Sequence, residues 1–298
     1  MKIRLIVAKN IGFCFGVRRS VETVEKLLES ERKVYVAGEL VHNERVLNEL
    51  MKRGMVLFNP HSDLPKDLKS HTVVVRAHGL PPNIVKRLED HAGRVVDTTC
   101  PIVMDMFKTA KGLAKKHDRL YVLGDPNHPE IVALRGYVED PIVFKDRNEL
   151  EKILKMRNDN PNLKVALISQ TTKDFMTFQR SLELLVKHFK CVSVNRTICD
   201  VTIKREEEVR ELSKKSDVVM VIGSEKSSNT NKLLRIAREN TKAFLVSDPH
   251  DLRRRIPEFY DGMVVSMVSG TSTPDQLVDE MIDELKKICE EVDVVWSR

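Results

Sequence analysis

Cys14, Cys100 and Cys199 each stand at the same point of a repeated pattern, and that register limits what the chain can fold into. Each follows a short apolar run, at residues 3–7, 94–97 and 191–194. A helix-like stretch comes next, then a second apolar run that stops at a glycine: Val34-Tyr35-Val36-Ala37-Gly38, Leu120-Tyr121-Val122-Leu123-Gly124, and residues 218–222 before Gly223. From Cys14 to Gly38, Cys100 to Gly124 and Cys199 to Gly223 the separation is 24 residues each time. Apolar strands alternating with helical patterns read as parallel βαβ units. The expectation is an α/β protein of three similar lobes with mostly parallel sheets, arranged pseudo-threefold about a common centre. The lobes span residues 14–99, 100–198, and 199–298 together with 1–13. The N-terminal strand has no copy ahead of Cys14, so it is assigned to the third lobe.

Polar residues crowd behind each glycine. They are Glu39, His42 and Asn43 in the first copy, Asp125, Asn127, His128 and Glu130 in the second, and Ser224, Ser227, Ser228 and Asn229 in the third. A third apolar run closes each copy and ends in Arg76-Ala77-His78-Gly79, Ser169-Gln170-Thr171-Thr172 or Ser269-Gly270-Thr271-Ser272. Open parallel sheets take ligands beyond the carboxyl ends of their strands. All of these residues lie at such ends, which points to one central site.

Composition narrows the class. Of 298 residues, 41% are hydrophobic and 32% charged, which describes an ion-rich globule with enough chain for a substantial core. No apolar run approaches the ~18–20 residues needed to span a membrane. The start, Met1-Lys2-Ile3-Arg4, leads into a strand without a signal-peptide pattern, so the expected location is cytoplasmic. A net charge of +6 is spread among acidic residues. Lys204-Arg205 beside Glu206-Glu207-Glu208, for example, reads as a solvated face. With one Trp and four Tyr to stack bases, no nucleic-acid partner is expected, and an anionic small molecule accounts for the excess charge.

The cysteines carry the chemistry. A chain of this class does not call for a disulfide framework, and no CxxC pair is present. Cys191 and Cys289 occupy no equivalent place in the repeat and read as small buried hydrophobes. Cys14, Cys100 and Cys199 each precede a helix, where free N–H groups favour a thiolate. The first two helices have clear apolar stripes, and the third is weaker. Three lobes each presenting a sulfur would form a three-thiolate cup. A [4Fe–4S] cluster with one open iron fits that cup, and zinc with an exchangeable fourth ligand competes.

The same residues resemble one enzyme family closely. Gly12-Phe13-Cys14-Phe15-Gly16-Val17, Val41-His42-Asn43, Arg76-Ala77-His78-Gly79 and Asp97-Thr98-Thr99-Cys100-Pro101 are similar to motifs of the 4-hydroxy-3-methylbut-2-enyl diphosphate reductases. So are Asn127-His128-Pro129-Glu130, Ser169-Gln170-Thr171-Thr172, Thr197-Ile198-Cys199, Ser227-Ser228-Asn229 and Ser269-Gly270-Thr271-Ser272-Thr273-Pro274. The resemblance implies a [4Fe–4S] cluster on Cys14, Cys100 and Cys199. It implies reductive dehydroxylation of an allylic diphosphate to isopentenyl and dimethylallyl diphosphate, with electrons from a ferredoxin or flavodoxin. It also implies a pocket lined by His42, His78, His128, Thr171, Ser227, Ser228, Asn229 and Ser272, with Glu130 as proton source. Thr172 and Thr271 compete with Thr171 and Ser272 for those roles.

Taken alone, several of these residues have ordinary explanations. Glu130 follows Pro129 as a first-turn glutamate would, and Ser227 or Asn229 would cap a helix. Rival functions are a non-redox [4Fe–4S] hydro-lyase, a zinc hydrolase on the same cysteines, and a non-enzymatic iron–sulfur sensor. The first would want arginines for a hydroxy acid, and the last a partner-binding helix.

Overall fold

The structure, a computed structural model, describes residues 1–297 of the chain. It opens with β1 (Lys2–Val7), α1 (Phe15–Ser30), β2 (Val34–Ala37), α2 (Glu44–Lys52), β3 (Met55–Phe58), β4 (Thr72–Val75), α3 (Pro82–His91) and β5 (Arg94–Asp97). The pattern recurs as α4 (Pro101–Ala114), β6 (Arg119–Leu123), α5 (Pro129–Leu134), β7 (Ile142–Phe144), α6 (Arg147–Arg157), β8 (Lys164–Ser169), α7 (Phe175–His188) and β9 (Cys191–Val194). The last third holds α8 (Asp200–Ser213), β10 (Val218–Ile222), α9 (Ser228–Arg238), β11 (Lys242–Val246), α10 (Pro249–Arg255), β12 (Met263–Ser269), α11 (Asp275–Ile288) and β13 (Glu291–Trp296).

These strands form three sheets, and every pairing between them is parallel. The orders are β3-β2-β4-β5, β7-β6-β8-β9 and β11-β10-β12-β1-β13. With β2, β6 and β10 placed in correspondence, β1 takes the position in the third sheet that β5 and β9 hold in the others. The three-sheet α/β architecture expected from the repeat is therefore present. The added edge strand β13 was not anticipated. Its residues are exposed or half-buried, and Glu291 and Asp293 interrupt the apolar run that marks the inner strands. β2, β4, β6 and β10 are buried along most or all of their length, as strands covered on both faces must be.

By compactness the chain forms two units. One comprises Met1–Arg18, Val41–Lys52 and Ile203–Arg298, of which residues through 297 are described. The other comprises Arg19–Leu40 and Arg53–Thr202. The first unit holds the third sheet, with a core of Leu5, Val7, Met220, Ile222, Met267, Met281 and Leu285. Its α2 is fastened by Arg45, whose two terminal nitrogens each lie 2.6 Å from a carboxylate oxygen of Glu280. Glu44 pairs with Lys226 in the same unit. The second unit holds the other two sheets. Tyr35, Val73, Val75 and Leu88 pack one of them, and Phe107, Val122, Ile131 and Ile168 the other.

Two expectations about polarity need correction. The Lys204–Glu208 run is not a solvated face. Arg205 and Glu206 are 4% and 6% exposed, because residues 202, 205, 206, 209, 212 and 213 form the inward stripe of α8. The run looked superficial because two charged residues stand where apolar ones would normally mark such a stripe. Cys191, expected inside, is exposed at the start of an edge strand, whereas Cys289 is buried in the core. No described helix is long and apolar enough to cross a membrane.

Candidate active site

Each of the three repeat cysteines stands one residue before a helix: Cys14 before α1, Cys100 before α4, Cys199 before α8. All five cysteines are thiols, and these three are half-buried. A common backbone device holds them. The N–H of Cys100 donates to Ala77 O at 2.9 Å, that of Cys199 to Thr171 O at 2.8 Å, and that of Cys14 to Thr271 O at 3.1 Å. Ala77, Thr171 and Thr271 each lie two residues past the end of the matching strand, β4, β8 and β12. Each cysteine loop is thus tied to the loop that carries a candidate substrate residue: His78, Thr171 or Ser272. A thiolate is a donor that suits a soft metal–sulfur group.

In the second unit, Glu130 is 1% exposed although it sits in the first turn of α5. Its two oxygens accept from Thr171, one from the backbone N–H at 2.6 Å and one from the hydroxyl at 2.8 Å. Burial raises its pKa to about 7, against the two Thr171 bonds, which lower it. A carboxyl in that state holds a proton near neutrality and can release it. His128 caps α5, accepting from Glu130 N–H through Nδ1 at 3.3 Å. Its ring meets that of His78 edge-on, with centroids 5.3 Å apart. Thr171 itself is buried and half-exposure is left to its neighbour Thr172, which accepts from Gln170 Nε2. Of the Thr171-Thr172 pair, Thr171 is therefore the one joined to the acid.

The first unit holds the other candidates. Ser227 is buried and caps α9 through a bond from Thr230 N–H, so its ordinary capping role is real. Ser228 is exposed. Asn229 is 6% exposed, and its side-chain Nδ2 is buried with no hydrogen-bond partner. A buried amide left this way costs on the order of 1–3 kcal/mol, which a ligand acceptor would relieve. Ser272 is buried, and its hydroxyl donates to His42 O at 3.4 Å, joining two candidate loops. Thr271 is half-buried, and its carbonyl is occupied by the Cys14 N–H.

The charged pair that sequence reasoning set aside frames these loops. Arg205 donates to Ser269 O at 2.9 Å and to Gly12 O at 2.7 Å, bracing the Ser272 loop and the Cys14 loop together. Gly12 N–H returns a bond to Ser269 Oγ at 2.8 Å. Gly12 has φ +79°, and a Cβ there would fall 1.8 Å from Asp275 Oδ1, so only glycine fits this approach. Glu206, the next residue on α8, forms a buried ion pair of 2.5 Å with Lys232 of α9, the helix that presents Asn229. Val209 and Leu212, at helical spacing on the inward face of α8, were the signal available in the sequence; the density of charge hid it.

A hollow of about 520 Å³ opens at the carboxyl ends of β10 and β11, walled by Asn43, Gly223, Ser224, Lys226, Ser247 and Asp248 among others. It adjoins His42 and Ser227 in sequence without including either in its wall.

Fold and site together define an α/β protein of three parallel sheets in which a thiol, anchored to a strand-end loop, precedes a helix in each repeat. The chain belongs to the LytB protein family, whose model matches residues 5–286. It is 39% identical over 288 residues to the 4-hydroxy-3-methylbut-2-enyl diphosphate reductase of Thermotoga maritima, covering 96% of this chain and 97% of that protein. The Clostridium perfringens protein of the same name is 34% identical, covering 97% of this chain and all of its own (100%). A solved structure of (E)-4-hydroxy-3-methyl-but-2-enyl diphosphate reductase, titled the terminal enzyme of the non-mevalonate pathway, aligns with a TM-score of 0.71 at 29% identity. It covers 95% of this chain and 99% of that one. The Plasmodium falciparum E-1-hydroxy-2-methyl-but-2-enyl-4-diphosphate reductase aligns at 0.86 and 26% identity, over 98% and 92%. The family indicated by the sequence motifs is the family that matches.

Proposed function

We infer that the chain reduces (E)-4-hydroxy-3-methylbut-2-enyl diphosphate to isopentenyl and dimethylallyl diphosphate, the last step of the methylerythritol phosphate route to isoprenoids. The allylic C–O bond breaks, a C–H bond forms, and two electrons and two protons are consumed with release of water. A ferredoxin or flavodoxin supplies the electrons. In this reading the chain is organised as three lobes (residues 14–99, 100–198, and 199–298 with 1–13), each contributing one of the three cysteines.

Cys14, Cys100 and Cys199 would hold a [4Fe–4S] cluster, which when bound supplies single electrons and a Lewis-acidic iron for the substrate hydroxyl. The anchored thiols preceding helices support that assignment. Glu130 delivers a proton to the departing oxygen. Burial raises its pKa to about 7, so a substantial share holds its proton near neutrality, and Thr171 fixes both of its oxygens, so the acid is aimed before substrate arrives. Asn229, Ser227, Ser228 and Ser272 supply neutral donors for the diphosphate, with Asn229 Nδ2 awaiting an acceptor. His42, His78 and His128 add donors toward the anion.

The buried, Thr171-clamped acid Glu130 carries the reading. Protein purified without oxygen is tested for iron, sulfide and a brown chromophore, then given a chemical reductant and the allylic diphosphate. Formation of the two isomeric diphosphates supports the assignment. Colourless, zinc-loaded protein that leaves the substrate intact would refute it.

A further inference from the structure

Arg76 is a cation at a strand end whose Nε has no hydrogen-bond acceptor among the described residues. It directly follows β4, its guanidinium is mostly buried, and its Nε is shielded from water with no hydrogen-bond partner. Burial disfavours its charge, and only the field of Glu39 offsets that. Gly38 is shaped around it. This residue has φ +86°, and a Cβ there would lie 2.6 Å from Arg76 Nη1, so the strand end is left bare where the guanidinium lies.

Arg76 opens on a hollow of about 380 Å³ that also includes Gly38, Glu39, Phe58, Asn59 and His61. These residues stand at the carboxyl ends of β2, β3 and β4, three adjacent parallel strands, the position at which open α/β sheets take ligands. The internal repeat gives a second, independent indication. Gly38 N–H donates to Phe58 O at 2.8 Å, as Gly223 N–H does to Val246 O at 3.0 Å. The hollow at β10 and β11 has Gly223, Ser224 and Ser247 where this one has Gly38, Glu39 and Asn59. Two sheets thus carry a hollow at the same place, and the first holds a buried cation.

We propose that the carboxyl edge of the first sheet is a second anion-binding site, in which Arg76 takes a phosphate-class oxyanion and Asn59 and His61 supply donors from the rim. The guanidinium fork matches two oxygens of a phosphate or a carboxylate equally well. The rim donors favour phosphate, which has further oxygens for them when the fork is full. The Glu39 carboxylate in the same hollow opposes added negative charge, so the site takes a single phosphate group in preference to a polyphosphate. The site is separate from the reductase reading and does not depend on it.

The test uses protein purified without oxygen and carrying Asn229→Asp, which sets a carboxylate at the candidate diphosphate seat so that phosphate binding there is suppressed. Inorganic phosphate is titrated calorimetrically, with acetate in parallel. Saturable phosphate binding is expected, weakened about tenfold or more by Arg76→Met and less by Arg76→Lys. Asn59→Asp covers the case in which Arg76→Met does not fold. It keeps the oxygen that accepts His61 N–H at 3.0 Å, adds a negative charge to the hollow, and is expected to weaken phosphate several-fold. Absence of saturable phosphate binding, unchanged affinity in Arg76→Met (or in Asn59→Asp where Arg76→Met does not fold), or acetate binding as tightly as phosphate would each overturn the proposal.

Discussion

Glu130→Gln preserves the size of a fully buried side chain and removes its titration, so it isolates what the carboxyl contributes. The folded-state pKa of Glu130 is about 7 against an ordinary value of 4.5. That gap of 2.5, at 1.36 kcal/mol for each pKa unit, amounts to about 3 kcal/mol. Its sign follows from proton counting. Between pH 4.5 and about 7 the folded chain keeps the Glu130 proton while the unfolded chain has lost it. Stability from this group is therefore complete below the lower value, falls as pH rises through the interval, and is flat above it. Glutamine has no such dependence. The free energy of urea unfolding of Glu130→Gln, relative to the parent, should rise by about 3 kcal/mol between about pH 4.5 and about pH 8. Turnover should move the other way: the variant loses about 10²–10⁴-fold, and parent kcat declines as pH climbs through about 7. Parallel unfolding curves across that range would refute the pKa argument. Parent-like turnover in the variant would remove Glu130 as the acid.

Thr171→Val deletes a hydroxyl donor that lowers the Glu130 pKa, so the alkaline limb of the kcat profile should move to higher pH; a shift downward would contradict the clamp. Serine in place of Cys14, Cys100 or Cys199 should abolish retention of iron and sulfide in anaerobic preparations. Cys191→Ser and Cys289→Ser should retain both, with Cys289→Ser alone losing about 1–3 kcal/mol of stability from a hydroxyl placed in the core. Equal loss of iron from all five would defeat the ligand assignment. Arg205→Met should leave Gly12 O and Ser269 O without their donor and cost on the order of 2–4 kcal/mol, measured by denaturation. Arg205→Lys, which keeps one donor, should recover part of it.

The repeat grammar made most of the strands legible. Parallel inner strands are covered on both faces and so read as short apolar runs, and the common Cys-to-Gly interval exposed their recurrence. Edge strand β13 and helix α8 were harder for opposite reasons. The first is half wet, and the second buries charges in place of apolar side chains. Burial of Glu206 beside Lys232 shows why charge density alone is a poor guide to exposure: an ion pair with an inward address has the same letters as a solvated one.

Local sequence determined where helices begin, which thiols precede them, and which polar residues follow strand ends, because each depends on a few neighbouring residues. It could not determine that Glu130 is buried, since a first-turn glutamate after proline is equally at home in water. Only the tertiary structure brings Thr171, 41 residues later, onto both of its oxygens and moves its pKa to about 7. The same holds for Arg205, whose partners Gly12 and Ser269 are 193 and 64 residues away. Desolvation and long-range hydrogen bonds depend on which chain segments meet, and that information lies in the packed fold.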